Sequence, residues 1–310
     1  MRVLVTGASA TLGNALVARL EEAEDVDKVL AVSLRPRSSG GYRGRTEWIG
    51  VDLHRSRDLR TLLFGRAREL GIDTVVHMAE HPDASDDGRS VHALNVDRTR
   101  ELLHLLQRHP TIRRIVYRGH GQIYRIDGET PTILDEEQPL DSTPGVPQWV
   151  RDRVEADQAV CTYLGLSSTK ITVLRCAEIF APRAASQTWD YVQSRVCFRP
   201  LGYDPMLHLL TVEDAVRAIT LALHADTPGI FNIPGADILP LSEVIRKSGR
   251  RGIPVPAALI SPLYHWRHLA LGTQFRWDMN ARRYRWSGVL DGTRASELMG
   301  YQPRNPIRWA

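Results

Sequence analysis

The chain has 310 residues, of which 43% are hydrophobic and 25% charged, a composition typical of a globular protein with a buried core. Its formal net charge of +4 fits an anionic ligand but is too small to favour nucleic acid as a partner. No run of roughly 18 apolar residues occurs, so no transmembrane helix is predicted. An apolar strand pattern follows Met1 at once, so no signal peptide is expected. Cys161, Cys176 and Cys197 lack metal-ligand spacing, which predicts reduced thiols, a cytoplasmic protein and no metal site.

Strand and helix patterns alternate along the first 180 residues. Apolar runs predict strands at 3–5, 29–32, 48–51, 74–77, 115–117 and 171–174, and helical periodicity predicts helices at 12–20, 57–70, 91–106 and 150–164. Short apolar strands separated by helices are typical of a parallel sheet covered on both faces. Residues 35–45 and 127–147 are rich in loop-forming residues and are expected to lie on the surface.

A glycine loop, Thr6-Gly7-Ala8-Ser9-Ala10-Thr11-Leu12-Gly13, joins the first strand pattern to the first helix pattern. A helix N-terminus offers unpaired N–H groups and a partial positive charge, so this turn predicts a dinucleotide phosphate site. Gly7 permits the tight turn, and Gly13 permits close packing of the helix against the strand. Ala10 replaces the middle glycine of this pattern, and we expect its methyl group to weaken binding, either by pushing the pyrophosphate outward or by requiring a small backbone shift.

Beyond residue 180 the pattern is less regular. Thr211-Val212-Glu213-Asp214 is a capping-box signature that predicts a helix ending at Leu223. Residues 229–232 predict a short strand. Together with the glycine loop, these patterns predict an α/β protein with a Rossmann-type, doubly wound parallel sheet, whose ligand lies at the carboxyl ends of the strands.

Eight motifs in order resemble those of the extended short-chain dehydrogenase/reductase family, which includes NAD-dependent epimerases, dehydratases and hydroxysteroid-type dehydrogenases. Besides the glycine loop, they are residues 51–53, 75–79, 95–99, 115–124, 174–179, 210–214 and 298–303. The resemblance covers nearly the whole chain. It implies an NAD(P)-binding domain over residues 1–180, to which 206–235 return, and a smaller C-terminal substrate lobe formed by 181–205 and 236–310.

The resemblance also implies which residues bind the cofactor. They are Gly7, Ala10, Thr11, Leu12, Gly13, Ser33, Arg35, Asp52, Leu53, Met78, Ala79, Asn95, Arg153 and Cys176. Members that use NAD carry an acid at the end of the second strand to bind the ribose hydroxyls. This chain instead has Ser33 followed by Arg35 and Arg37, which suits the 2′-phosphate of NADP. NADP is therefore favoured over NAD, the alternative being that these arginines are solvated.

The positions implied as catalytic depart from the family pattern. Trp149 stands at the place of the family's tyrosine, and Arg153 at the place of the lysine four residues later. An indole cannot act as a general base near neutral pH, whereas Arg153 can still bind ribose hydroxyls. His120 stands where the family has serine or threonine. Its imidazole is either a replacement acid or base, or a polar residue in a pocket that has lost its chemistry, and the second interpretation is favoured.

Several other polar residues are given structural interpretations. Tyr124 and His77 are expected to be structural, and the acids of residues 135–137 are expected to form a solvated loop. Residues 265–286 are rich in arginine and aromatic side chains. They predict either a substrate grip, a peripheral membrane or protein contact, or core-anchoring aromatics with a solvated arginine face.

Two functions follow from these observations. The first is an NAD(P)-dependent reductase, epimerase or dehydratase with substituted catalytic residues, acting on a small hydroxy, keto or sugar-nucleotide-like substrate. The second is a catalytically silent cofactor-binding sensor, scaffold or regulatory subunit. By resemblance, a homodimer is expected to form through the helices predicted at 91–106 and 150–164.

Overall fold

Seven parallel strands form the central sheet of the protein, whose computed structural model describes residues 1–35, 44–81, 83 and 87–309. In spatial order they are β11 (Gly229–Ile233), β7 (Lys170–Cys176), β5 (Arg114–His120), β4 (Thr74–His77), β1 (Arg2–Thr6), β2 (Lys28–Ser33) and β3 (Thr46–Gly50). The chain first extends the sheet from β1 to β2 and β3 on one side, and then returns to add β4, β5, β7 and β11 on the other side of β1. The strand order therefore reverses between β1 and β4. The predicted Rossmann-type, doubly wound sheet is therefore confirmed.

Helices flank this sheet and build the lobe that follows it. They are α1 (Thr11–Glu22), α2 (Ser56–Thr61), α3 (Arg89–His92), α4 (Arg98–Leu106), α5 (Gln148–Cys161), α6 (Gln187–Val192), α7 (Val212–His224), α8 (Leu241–Lys247), α9 (Ala257–Leu271), α10 (Trp277–Asn280) and α11 (Thr293–Met299). The helices predicted at 57–70 and 91–106 each contain a π-helical segment, at Leu62–Ala67 and Ala93–Asp97 respectively. Hydrophobic periodicity does not distinguish such a segment from a regular α-helix.

The smaller strands belong to three further sheets. They are β12 (Asp237–Pro240), β10 (Met206–Leu210) and β8 (Glu178–Ile179) in one sheet, β13 (Arg251–Val255) and β9 (Val196–Pro200) in a second, and β14 (Val289–Leu290) and β6 (Ile133–Leu134) in a third. Of the residues 206–235 expected to return to the main domain, β11 joins the central sheet and β10 does not.

Apolar side chains cover both faces of the central sheet. On one face α1 and α7 bury Leu16, Val17 and Ile219, and on the other the helical segments between β3 and β5 bury Leu63 and Leu102. The C-terminal lobe has a separate aromatic core. Its buried rings belong to Tyr191, Tyr264, Phe275, Trp277 and Tyr284. Part of the segment 265–286 is therefore core, as one of its three interpretations expected.

The acidic loop is less solvated than predicted. Glu136 is buried, and its Oε1 accepts a hydrogen bond of 2.7 Å from the backbone N–H of Asn232. Its Oε2 lies 3.4 Å from Arg294. The expectation was wrong for this residue because β6 pairs with β14, and the pairing holds the loop against the C-terminal segment.

Candidate functional site

The glycine loop has the geometry that its sequence predicted. Gly7 has a φ of 71°, and a Cβ at this position would lie 2.9 Å from the carbonyl oxygen of Met78. A Cβ on Gly13 would lie 2.2 Å from the carbonyl oxygen of Gly7. Thr6 ties the loop to β4, because its Oγ1 accepts hydrogen bonds from the backbone N–H groups of Met78 and Ala79 at 3.1 and 3.3 Å. Only glycine fits the two tight positions.

Helix α1 begins directly after this loop and presents an uncapped N-terminus. Ala10 occupies the N-cap position, gives no side-chain cap and is exposed, and the first turn contains no acid. The Thr11 hydroxyl donates to the carbonyl oxygen of Pro182 at 2.7 Å, so it is turned towards the C-terminal part of the chain. The free N–H groups and the glycine turn fit a pyrophosphate, with the methyl group of Ala10 on the exposed side of the loop.

The residues predicted to bind the adenosine half of the cofactor follow β2 and β3. Arg35 is exposed, and its carbonyl oxygen accepts a hydrogen bond of 2.9 Å from the Ser33 hydroxyl. Arg37 lies outside the described residues. Asp52 accepts a hydrogen bond of 3.0 Å from the backbone N–H of His54 and pairs with Arg55 at 3.3 Å. Leu53 lines a small cavity beside Thr6 and Ala79.

A carboxylate that sequence reasoning missed stands at the centre of the site. Glu80 follows β4, and its Oε1 accepts a hydrogen bond of 2.9 Å from Nη2 of Arg118. Its Oε2 lies 2.8 Å from Nε2 of His120 and 3.4 Å from Nη2 of Arg153. We call these four residues the Glu80 cluster. The available signal was an acidic residue three positions after the end of an apolar strand, because the carboxyl ends of parallel strands form the ligand edge.

Burial and charge set the protonation states in the Glu80 cluster. Burial alone would raise the pKa of Glu80, but Arg118, His120 and Arg153 hold it well below its usual value. Burial lowers the pKa of His120 to about 3, and the positive charge of Arg153 contributes to this shift. Burial also lowers the pKa of Arg153 to about 10, which leaves the guanidinium charged. At neutral pH the cluster therefore holds one carboxylate, two guanidinium groups and a neutral imidazole.

Trp149 and Arg153 pack against each other on α5. The guanidinium carbon of Arg153 lies 3.7 Å from the centre of the Trp149 ring, and Arg153 Nη1 donates to Oε1 of Gln122 at 2.6 Å. Trp149 is buried among apolar side chains that include Ile123 and Met279. Cation–π stacking and hydrogen bonds to Gln122 and Glu80 thus fix Arg153 in place. The structure gives Trp149 a packing role.

Two further residues that were predicted to contact the cofactor are Asn95 and Cys176. Asn95 is hydrogen-bonded within the protein, and Cys176 is buried. Asn95 accepts a hydrogen bond of 2.8 Å from the backbone N–H of His81. Cys176 is buried, and burial raises the pKa of its thiol to about 12. A cavity of about 20 Å³ lies between Ala79, His120 and Arg153, and one of about 10 Å³ lies beside Cys176. Each has room for about one water molecule, so these pockets do not fit a nicotinamide ring without rearrangement.

Two residues expected to be structural are found in buried hydrogen-bond networks. The Tyr124 hydroxyl donates to Oδ1 of Asn232 at 2.7 Å and accepts from Nη1 of Arg175 at 3.0 Å. Both ring nitrogens of His77 contact threonine hydroxyls, and burial lowers the pKa of this imidazole to about 4. Arg175 in turn forms a bidentate pair with Asp157, at 2.7 and 3.1 Å.

A larger cavity lies between residues 122–150 and the C-terminal segment 278–283. It has a volume of about 180 Å³ and is lined by residues that include Gln122, Asp141, Arg282 and Arg283. Arg282 pairs with Asp141 at 3.0 Å, and Arg283 pairs with Glu178 at 3.1 Å. Nε2 of Gln122 and Nη1 of Arg283 are buried and have no hydrogen-bond partner among the described residues. Both side chains line this cavity, and each carries a buried donor that the described residues leave unpaired.

The family is decided by comparison with known proteins. The sequence model of the NAD dependent epimerase/dehydratase family matches residues 3–234. The chain belongs to this family. Curated relatives include uncharacterized proteins of Mycobacterium tuberculosis and Mycobacterium bovis, each 30% identical over 97% of this chain and 80% of its own length. Their names assign no activity.

Solved structures of low sequence identity share the fold. MoeE5, solved with UDP-glucuronic acid and NAD, superposes with a TM-score of 0.73 at 19% identity, covering 100% of this chain and 96% of its own. The UDP-glucuronic acid 4-epimerase of Bacillus cereus, solved with NAD, gives 0.72 at 17%, covering 99% and 95%. Pal of Bacillus thuringiensis gives 0.76 at 14%, also covering 99% and 95%. At these sequence identities, the structural similarity shows only that this family member shares their fold.

Proposed function

We propose that this family member binds NAD(P) without catalysing turnover and acts as a sensor, scaffold or regulatory subunit. The observation that carries the proposal is the Glu80 cluster, because it holds two of the three residues that stand where the resemblance places the catalytic groups. These two residues, His120 and Arg153, are both engaged with Glu80. Trp149, the third, is covered by Arg153.

The chemistry of these groups supports a site without acid–base catalysis. General acid–base catalysis needs a group whose pKa lies near the working pH. The pKa of His120 is about 3, that of Arg153 about 10, and the indole of Trp149 does not ionise in this range. None of the three exchanges a proton readily at neutral pH. The family's phenol–ammonium pair has no counterpart at these positions.

Cofactor binding is supported by the glycine loop. Its N–H groups and tight turn fit a pyrophosphate, and the structures of MoeE5 and of the Bacillus cereus epimerase both contain NAD. In this family the bound cofactor supplies hydride transfer. Here Arg35 is exposed beyond β2, where a guanidinium can pair with a 2′-phosphate, so the proposal includes a preference for NADP. Binding of the nicotinamide half of the cofactor requires either that the Glu80 cluster rearranges or that the nicotinamide ring stays outside the cluster.

The cavity of about 180 Å³ is the proposed site of a small-molecule effector. The unpartnered donors of Gln122 and Arg283 suit a carbonyl, carboxylate or phosphate oxygen. A sugar-nucleotide-like ligand has such groups, and MoeE5 was solved with one. The predicted homodimer stays a prediction.

One observation favours a second candidate function. Nε2 of His120 lies 2.8 Å from Oε2 of Glu80, and a carboxylate oriented towards an imidazole is also an arrangement used in catalysis. In this alternative, binding of the substrate displaces Arg118 and Arg153, and the pKa of His120 rises because their positive charges, which lower it, move away while Glu80 stays. The protein would then be an epimerase or reductase with His120 as its acid or base.

Binding and turnover measurements separate these functions. Titration of the purified protein with NADPH and NADH is expected to show binding, tighter for NADPH, with no oxidation of the cofactor across a panel of UDP-sugars and keto compounds. The variant Gly13→Ala, whose new Cβ collides with the carbonyl of Gly7, is expected to lose binding, and Gly128→Ala is the control at an exposed glycine. Turnover that disappears in His120→Ala would establish the enzyme instead. Absence of binding by the wild-type protein would refute both.

A further inference from the structure

Helix α9 lies on the surface of the C-terminal lobe with an apolar side outward. Of its 15 residues, only Ile260 and Tyr264 are buried. Five large apolar side chains on it are exposed: Leu259 (54%), Leu263 (38%), Trp266 (75%), Leu269 (70%) and Leu271 (71%). We call the first four of these side chains the α9 apolar face.

The spacing of the first four of these side chains makes them one surface, whereas Leu271 ends the helix seven residues after the buried Tyr264 and lies on the opposite side. Leu259, Leu263 and Trp266 recur at intervals of four and three residues, which places them along one side of a helix. Leu269 continues the row three residues after Trp266. Single exposed leucines are common on protein surfaces. A continuous apolar row that includes a tryptophan is instead typical of a surface that contacts a membrane or another protein.

The sequence around α9 contains cations and no acids. From residue 244 to residue 277 there is no aspartate or glutamate, while six lysines and arginines occur. They are Arg246, Lys247, Arg250, Arg251, Arg267 and Arg276. Arg246 pairs with Glu243 and Arg276 with Asp278, whereas the other four form no ion pair with the described part of the chain.

Two exposed arginines lie near α9, and a third, on the helix, is turned towards the protein. Arg267, on the helix itself, donates to the carbonyl oxygen of Val196 at 2.8 Å. In the parallel pairing of β13 with β9, Arg251 lies opposite the same Val196. The backbone N–H of Arg251 donates to the carbonyl oxygen of Arg195 at 3.2 Å. The side chains of Arg195 and Arg251 are exposed. A positively charged surface therefore adjoins the α9 apolar face.

We propose that this surface docks on an anionic lipid bilayer. Trp266 and the leucines beside it would lie at the level of the headgroups and upper acyl chains, and the exposed Arg195 and Arg251 would face lipid phosphates. Charge complementarity favours a bilayer over a second copy of the chain, since two such surfaces would bring like charges together. The proposal is independent of the cofactor site.

The length of α9 limits the mode of contact to the membrane surface. Fifteen residues of helix extend about 22 Å, less than the hydrocarbon thickness of about 30 Å. In the part of the chain that the structure describes, no helix is long and apolar enough to cross a membrane. Association would therefore be reversible and sensitive to salt.

Vesicle flotation with the full chain tests the proposal. We expect it to bind vesicles of phosphatidylcholine mixed with phosphatidylglycerol, and to be released by high salt or by omission of the anionic lipid. Trp266→Ser is expected to weaken partitioning about tenfold, because each large apolar side chain contributes about that factor. Leu166→Ser removes an exposed leucine (81%) elsewhere on the protein and is expected to bind as the wild type does. Arg251→Glu is expected to bind less, with a weaker dependence on salt.

Several results would overturn the proposal. Failure of the wild type to bind anionic vesicles would do so, as would equal binding by Trp266→Ser and Leu166→Ser. If Trp266→Ser instead lowered the oligomeric mass in sedimentation while vesicles bound no protein, the α9 apolar face would be a protein interface. Thermal unfolding of both variants checks that they are folded.

Discussion

The substitution Glu80→Gln tests whether the Glu80 cluster is held together by its carboxylate. The exchange keeps the shape of the side chain but removes the charge that compensates Arg118 and Arg153. Removing one partner of a buried ion pair costs about 3–5 kcal/mol. Because the side chain of Glu80 is 21% exposed, we expect about 3 kcal/mol. An unfolding entropy of about 2.1 cal/mol/K per residue then gives a decrease in Tm of about 5 °C.

Thermal unfolding followed by circular dichroism at pH 7 measures this effect. The control Glu129→Gln removes an exposed carboxylate and is expected to change Tm by less than about 1 °C. Adding Arg118→Met to Glu80→Gln removes one of the two uncompensated cations, so the double variant should recover part of the loss. A Tm for Glu80→Gln equal to that of the Glu129→Gln control would refute the compensation argument.

Two further predictions concern His77 and the glycine loop. The folded pKa of His77 is about 4 and its ordinary value 6.5, so the unfolded chain binds more protons between these values. The free energy of unfolding should fall as the pH drops from 6.5 towards 4, by up to about 1.4 kcal/mol per pH unit from this residue. His77→Gln should flatten that slope in urea titrations, and an unchanged slope would contradict the assignment. Ala10→Gly should tighten NADPH binding in calorimetry, whereas Ser9→Gly should not; equal affinities would show that the Ala10 methyl group does not hinder the pyrophosphate.

The sequence by itself determined the elements whose signal is local. The glycine loop and the apolar strands were predicted because turn chemistry and hydrophobic periodicity depend on neighbouring residues. The family followed from the order of such motifs along the chain. The departures at His120, Trp149 and Arg153 could also be read from the sequence, because His120 lies within a family motif and the other two keep the family's four-residue spacing.

Only the tertiary structure decided what these substituted residues do. Glu80 and His120 are 40 positions apart, and their contact depends on the adjacent carboxyl ends of β4 and β5. Likewise, Glu136 is buried because a distant strand pairs with its loop. Trp277 enters an aromatic core while Trp266 stays exposed on α9. Protonation, burial and pairing depend on neighbours brought together by the fold, and a local pattern carries no information about those neighbours.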